Sequence, residues 1–275
     1  MLDVIIDTLI DTIKLVPFLF IAFLIIELLE HRLKSNKKIK EAGKLGPVVG
    51  GLLGAIPQCG FAAAATNLYI TRLITLGTLI AVYLSTSDEM IPIMLSENVS
   101  LSFVLQVVGS KVVIGITWGF IIDALFKKRD KENYHLCEEE HCHCDENIWL
   151  SVVKHTFNIA LFILLIDFGL NLIFFYGGQE ILSKLLMKNS IFGSFITSLI
   201  GLIPNCAASI IITQLYLSEA ISYGAMIGGL LTGSGIALVI LFKSNKNMKE
   251  NFQILGIVYS IGVLCGLIID TILLF

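Results

Sequence analysis

Six stretches of this chain are long and apolar enough to cross a bilayer, and that fact governs every other reading. They run approximately over 3–29, 73–95, 100–127, 149–176, 220–242 and 252–275. A helix needs about 20 apolar residues to span the hydrocarbon core. The chain is 56% hydrophobic and 15% charged, against roughly 25% charged in a soluble domain. Its 41 charged residues are too few and too clustered to coat a soluble protein of 275 residues. An ordinary cytosolic enzyme, a nucleic-acid binder and a disordered regulator are excluded. The first apolar run lacks a basic leader and a small-residue cleavage site, so it reads as a span rather than a cleaved signal.

Two further apolar stretches, 46–70 and 193–217, are interrupted at Ile56-Pro57-Gln58-Cys59 and Ile203-Pro204-Asn205-Cys206. Proline removes a backbone donor, and the residue before it is pushed out of the helical region. Each stretch is therefore a kinked span or a re-entrant hairpin. Lys and Arg gather in cytoplasmic loops. The loops 30–45, 127–147 and 243–251 carry 13 of the 19 basic residues. All three fall on one side only if 46–70 enters and leaves by the same face. The expected topology has both re-entrant hairpins, cytosolic basic loops and both termini outside.

Shifted by 147 residues, the chain matches itself without a gap, Gly46–Asp123 against Gly193–Asp270. The matched positions include Pro57/Pro204, Cys59/Cys206, Thr66/Thr213, Ser87/Ser234, Gln106/Gln253 and Asp123/Asp270. Shared hydrophobicity does not align Pro, Cys, Gln and Asp. The expected fold is an all-α polytopic membrane protein of two inverted-topology repeats. Each has three transmembrane helices plus one re-entrant hairpin, ten helical segments in all. The units are residues 1–128, a cytosolic linker at 129–148, and residues 149–275. Inverted repeats with breaks at matching positions point to a secondary transporter with its site near the midplane. Non-helical backbone at that depth needs protein or a water-filled cavity around it.

The residues able to hold a cargo follow from that frame. Gln58 and Asn205 offer amides, and Cys59 and Cys206 offer thiols, at the two tips. Ser87, with Asp88 and Glu89, lies inside the span 73–95, where acids are costly unless they face a cavity or a partner. Ser234 is the equivalent of Ser87, but the second copy lacks the acids. Lys111 lies mid-span and can neutralise those acids or compete with a bound cation. Asp123 and Asp270 sit near helix ends, as solvated carboxylates or coupling groups. Cys265 reads as packing.

The linker holds three His, three Cys and five acids within twelve residues. His135, Cys137, His141, Cys142, His143 and Cys144 suit transition-metal capture, as an accessory collector; the other reading is a solvated acidic linker. No zinc-finger spacing is present, and a cytosolic loop keeps its thiols reduced.

The Ile-Pro-Gln-Cys-Gly-Phe run, the Ser-Thr-Ser-Asp-Glu-Met segment, the second Ile-Pro-Asn-Cys and the His/Cys-rich loop resemble a prokaryotic family over almost the whole chain. It is that of the ten-transmembrane heavy-metal exporters, also described as manganese transporters or arsenic efflux proteins. The resemblance implies export of a metal or metalloid from a prokaryotic cell (inner) membrane. Carboxylate and amide oxygens suit manganese, whereas trivalent arsenic prefers thiolates. The expected function is export of a divalent cation, manganese first. Arsenite or organoarsenical efflux through Cys59 and Cys206 is the alternative. The metal is cargo and no cofactor is called for. The lipid bilayer is a partner, nucleic acid is not, and a homodimer or a monomer would both serve. No nucleotide-binding Gly-x-x-x-x-Gly-Lys-Ser/Thr loop is present, so coupling falls to an ion gradient, or transport is passive. An intramembrane enzyme built on Asp88, Glu89 and His155 is the competing class, but no protease or lipid-transferase motif supports it. A structural or sensory protein is the third reading. Neither needs the repeat.

Overall fold

The computed structural model describes residues 45–57, 59–87, 90–126, 148–173 and 192–273, with scattered helical positions between 9 and 24. Among these, eleven helices are delimited and every regular element is helical. In the first copy they are α1 (Gly46–Gly54), α2 (Cys59–Ile70), α3 (Leu76–Ser85), α4 (Met90–Ser96) and α5 (Leu101–Leu125). Helix α6 (Ile148–Ile173) leads towards the second copy. There follow α7 (Phe192–Gly201), α8 (Cys206–Leu217), α9 (Tyr223–Thr232), α10 (Ala237–Ser244) and α11 (Met248–Leu273). The helix starts of the two copies agree with the 147-residue offset to within one residue. The chain is a multi-pass, all-helical membrane protein.

Four helical stretches among the described residues are long and apolar enough to cross a membrane: Leu76–Ser96, Leu101–Leu125, Tyr223–Ser244 and Met248–Ile272. Two of them differ from the sequence expectation. The spans read as continuous over 73–95 and 220–242 are each split, into α3 and α4 and into α9 and α10. The local cause is hydroxyl and glycine chemistry. Ser85 Oγ donates to the carbonyls of Ala81 and Val82 at 2.8 and 3.1 Å, and Thr86 Oγ1 donates to Val82 O at 2.8 Å. Such back-bonding competes with helix continuation. Thr86 then turns to ψ 127°. In the second copy Gly233 leaves the helix and Gly235 adopts φ 54°, a left-handed conformation that glycine takes without steric cost.

The split spans form the interior. Every residue from Gly77 to Ser85 and from Gly224 to Thr232 is buried. Helices α5 and α11 lie outside them and turn Leu105, Val113, Leu125, Phe252, Leu264 and Ile268 outward, as a lipid-facing surface requires. In the first copy α3 packs on α1 and α5; in the second α9 packs on α7 and α11. The approach is close enough to exclude a side chain. A Cβ on Gly77 would collide with the carbonyl oxygen of Gly119, and one on Gly224 with that of Gly266. Small residues at such crossings let backbones meet where no hydrophobic effect drives helices together.

Between copies the partners are exchanged. Helix α2 packs on α10 of the second copy, and α8 packs on α4 of the first. The halves of α1–α2 and α7–α8 hold 9, 12, 10 and 12 residues. At 1.5 Å per residue none reaches beyond about 18 Å, so no half crosses a core of about 30 Å alone.

Candidate transport site at the paired helix breaks

The two interruptions place polar backbone and hydroxyls deep in an apolar interior. Ser85, Thr86 and Ser87 are 0–2% exposed, and so are Thr232 and Ser234. Ser87 Oγ donates to Ser85 O at 3.0 Å. Ser234 Oγ finds no hydrogen-bond partner among the described residues. Thr232 Oγ1 ties its break to α7 by donating to Ser198 O at 2.8 Å. The sequence places Asp88 and Glu89 directly after Ser87; both lie outside the described residues, as does Gln58.

Three side chains converge on these breaks from other elements. Lys111, on α5, is buried and its Nζ donates to the carbonyl of Thr86. The Tyr83 hydroxyl lies 2.7 Å from Thr66 Oγ1 on α2 and 3.4 Å from Ala237 O, where α10 begins. Thr66 is held in turn by donating to Ala62 O at 2.8 Å. Tyr83 therefore links α2 and both split spans. The second copy has Leu230 and Val258 where the first has Tyr83 and Lys111. The two breaks share a frame but differ in chemistry.

At the interruption between α7 and α8 Asn205 is buried and acts as an N-cap, with Oδ1 accepting from Ala207 N at 2.7 Å. That bond satisfies an orphan donor of α8. Cys206, half-buried, opens the same helix and follows the cap directly. Cys59 opens α2 at the matching place, but its side chain lies outside the described residues.

Asp123 and Asp270 do the same work in the two copies. Asp123 accepts from Gly77 N at 2.8 Å and from Thr75 Oγ1 at 2.7 Å. Asp270 accepts from Gly224 N at 2.8 Å and from Ser222 Oγ at 2.7 Å. Each long outer helix thereby caps the N-terminus of the split span inside it, a favourable place for a carboxylate. Cys265 is buried on α11 among core residues.

Several residues that hold the site together escaped the sequence reading. Arg72 closes the α2 turn at φ 60° and chelates Glu250 at the start of α11, with N···O distances of 2.9 and 3.1 Å. Tyr69 donates to the same carboxylate at 2.5 Å and Asn245 at 3.4 Å. The 147-residue equivalents of Tyr69 and Glu250 are Tyr216 and Phe103. Those two rings stack at 5.9 Å, and Tyr223 lies edge-on to both. A charged cluster at the end of α2 thus answers an aromatic cluster at the end of α8. No periodicity reveals the pairing: the tyrosine is kept in both copies, while Arg72 and Glu250 stand where the other copy has Glu219 and Phe103.

Among the described residues no three His, Cys, Asp or Glu side chains gather as a metal site. The loop ligands His135, Cys137, His141, Cys142, His143 and Cys144 lie outside the described residues, as does the His155 side chain.

No curated protein and no solved structure matches the chain. A family profile covers it almost end to end, in two overlapping segments at residues 1–172 and 162–273. The chain belongs to the family described as "Putative, 10TM heavy-metal exporter".

Proposed function

We propose that the chain is a secondary exporter of a divalent transition-metal cation, with manganese as first candidate. The observation that carries this reading is the pair of interruptions after Ser85 and Thr232, at one offset, in the two most buried spans. Broken helices at matching positions of two repeats bring half-helix ends and free carbonyls to a cargo at mid-membrane. In this reading the second copy is inverted relative to the first, and α1–α2 and α7–α8 are re-entrant hairpins entering from opposite faces. Asp88, Glu89, Ser87 and Ser234 line the site, with Gln58, Asn205, Cys59 and Cys206 at the hairpin tips. Oxygen-rich donors favour manganese over thiophilic ions. The His/Cys loop between copies collects metal at the cytosolic face. Transport is driven by an ion gradient or is passive.

Cellular metal content tests this. Cells expressing the wild type or Asp88→Asn/Glu89→Gln are challenged separately with manganese, zinc, cadmium and arsenite. The expected result is lower manganese with the wild type and no lowering with the acid variant. A fall in arsenic that persists in the acid variant, and is lost in Cys59→Ser or Cys206→Ser, moves the cargo to a metalloid. No change in any element sinks metal export.

A further inference from the structure

Helix α5 carries Lys111 into the interior, 1% exposed, with its ammonium on the carbonyl oxygen of Thr86. Thr86 ends α3, so this oxygen lies at the negative end of a half-helix, where broken-helix transporters hold cations. The carbonyls around it are engaged: those of Ala81 and Val82 by the Ser85 and Thr86 hydroxyls, and that of Ser85 by Ser87. Among the described residues the Thr86 oxygen carries a cation at this break, and the cation is the protein's own. A lysine ammonium is a compact charge on a flexible stem, suited to seat and unseat. At the second break Gly233 ends the helix and Val258 replaces the lysine, so the duplicated frame does not require a basic residue there.

We infer that Lys111 is a tethered competitor of the cargo: its ammonium holds the Thr86 carbonyl while the site is empty, and a metal cation enters by displacing it. The inference rests on the proposed cation export and deepens it. A tethered group competes at millimolar effective concentration or above. It therefore weakens cargo binding by a fixed factor and speeds release once the site opens to the far side.

The test is manganese binding by titration calorimetry on the purified full-length protein in detergent. Lys111→Met is expected to bind manganese about tenfold or more tightly than the wild type, and Lys111→Arg more weakly. In Lys111→Ala, added methylammonium is expected to compete with manganese, while the wild type is insensitive to it. A purely structural lysine predicts no such competition. Equal or weaker binding by a folded Lys111→Met overturns the inference. If that variant does not fold, Lys111→Arg decides: weaker binding supports the inference, and equal or tighter binding overturns it. Manganese binding by wild type and variants alike removes the inference and leaves cation export standing. Absence of binding in all of them removes both.

Discussion

The Asp123 carboxylate reaches across from α5 to accept the backbone N–H of Gly77 at 2.8 Å, the donor that opens α3. Asp270 does the same for Gly224 at the same distance. A carboxylate at the end of an apolar span thus serves as a cap supplied by another helix. Replacing Asp123 by Ala is expected to cost about 1–2 kcal/mol, the usual loss for a helix cap. Asp123→Asn keeps one acceptor and should lose less. Thermal unfolding in detergent reads both, and Asp270 should behave alike. A destabilisation confined to one copy would contradict the equivalence.

The backbone contact beside that cap sets a second expectation. Gly77→Ala and Gly224→Ala place a methyl group against a carbonyl oxygen of the outer helix. Helix separation must follow, at a cost of about 1–3 kcal/mol as in overpacked cores. Gly109 and Gly256, with open space around the added carbon, should accept Ala without loss. Expression of monodisperse protein for the four variants checks the contrast.

Arg72→Met leaves the Glu250 carboxylate, 9% exposed, without its guanidinium. Stranding one member of a buried pair costs about 3–5 kcal/mol, and replacing both members far less. Arg72 is 19% exposed, so the lower end applies. Arg72→Met/Glu250→Leu should therefore be more stable than Arg72→Met alone. The order of the three unfolding temperatures tests this, and a double variant weaker than the single would refute it.

Tyr83→Phe removes the hydroxyl that joins Thr66 to the start of α10. The expected stability loss is about 1 kcal/mol, the net worth of one buried hydrogen bond. Transport should fall by more than that loss explains, because the hydroxyl bridges α2 and both split spans. Metal efflux measured beside unfolding temperature separates the two effects.

Much of the architecture was legible because it depends on composition and on duplication. Apolar length announced the outer helices α5 and α11, and Pro57 and Pro204 announced the interruptions between α1 and α2 and between α7 and α8. The splits after Ser85 and Thr232 escape a hydropathy average over 73–95 or 220–242, which does not register three or four small residues. The hydroxyl cluster Ser85-Thr86-Ser87 and the run Thr232-Gly233-Ser234-Gly235 are nevertheless turn chemistry, and they recur at one offset. Lys111 was marked from its depth alone, whereas its carbonyl partner depends on how α5 packs on α3. The link from Arg72 to Glu250 spans 178 residues, and no local pattern encodes a contact of that range.

The exchange of α2 and α8 between the copies has a consequence for how such a molecule can be made. Each half lays one short helix against the other half, so a half produced alone would turn buried polar groups such as Thr66, Ser87 and Ser234 towards lipid. The halves should therefore be obligate companions. A chain severed in the linker at 129–148 should regain its shape when both pieces are synthesised together, and neither piece should persist without the other.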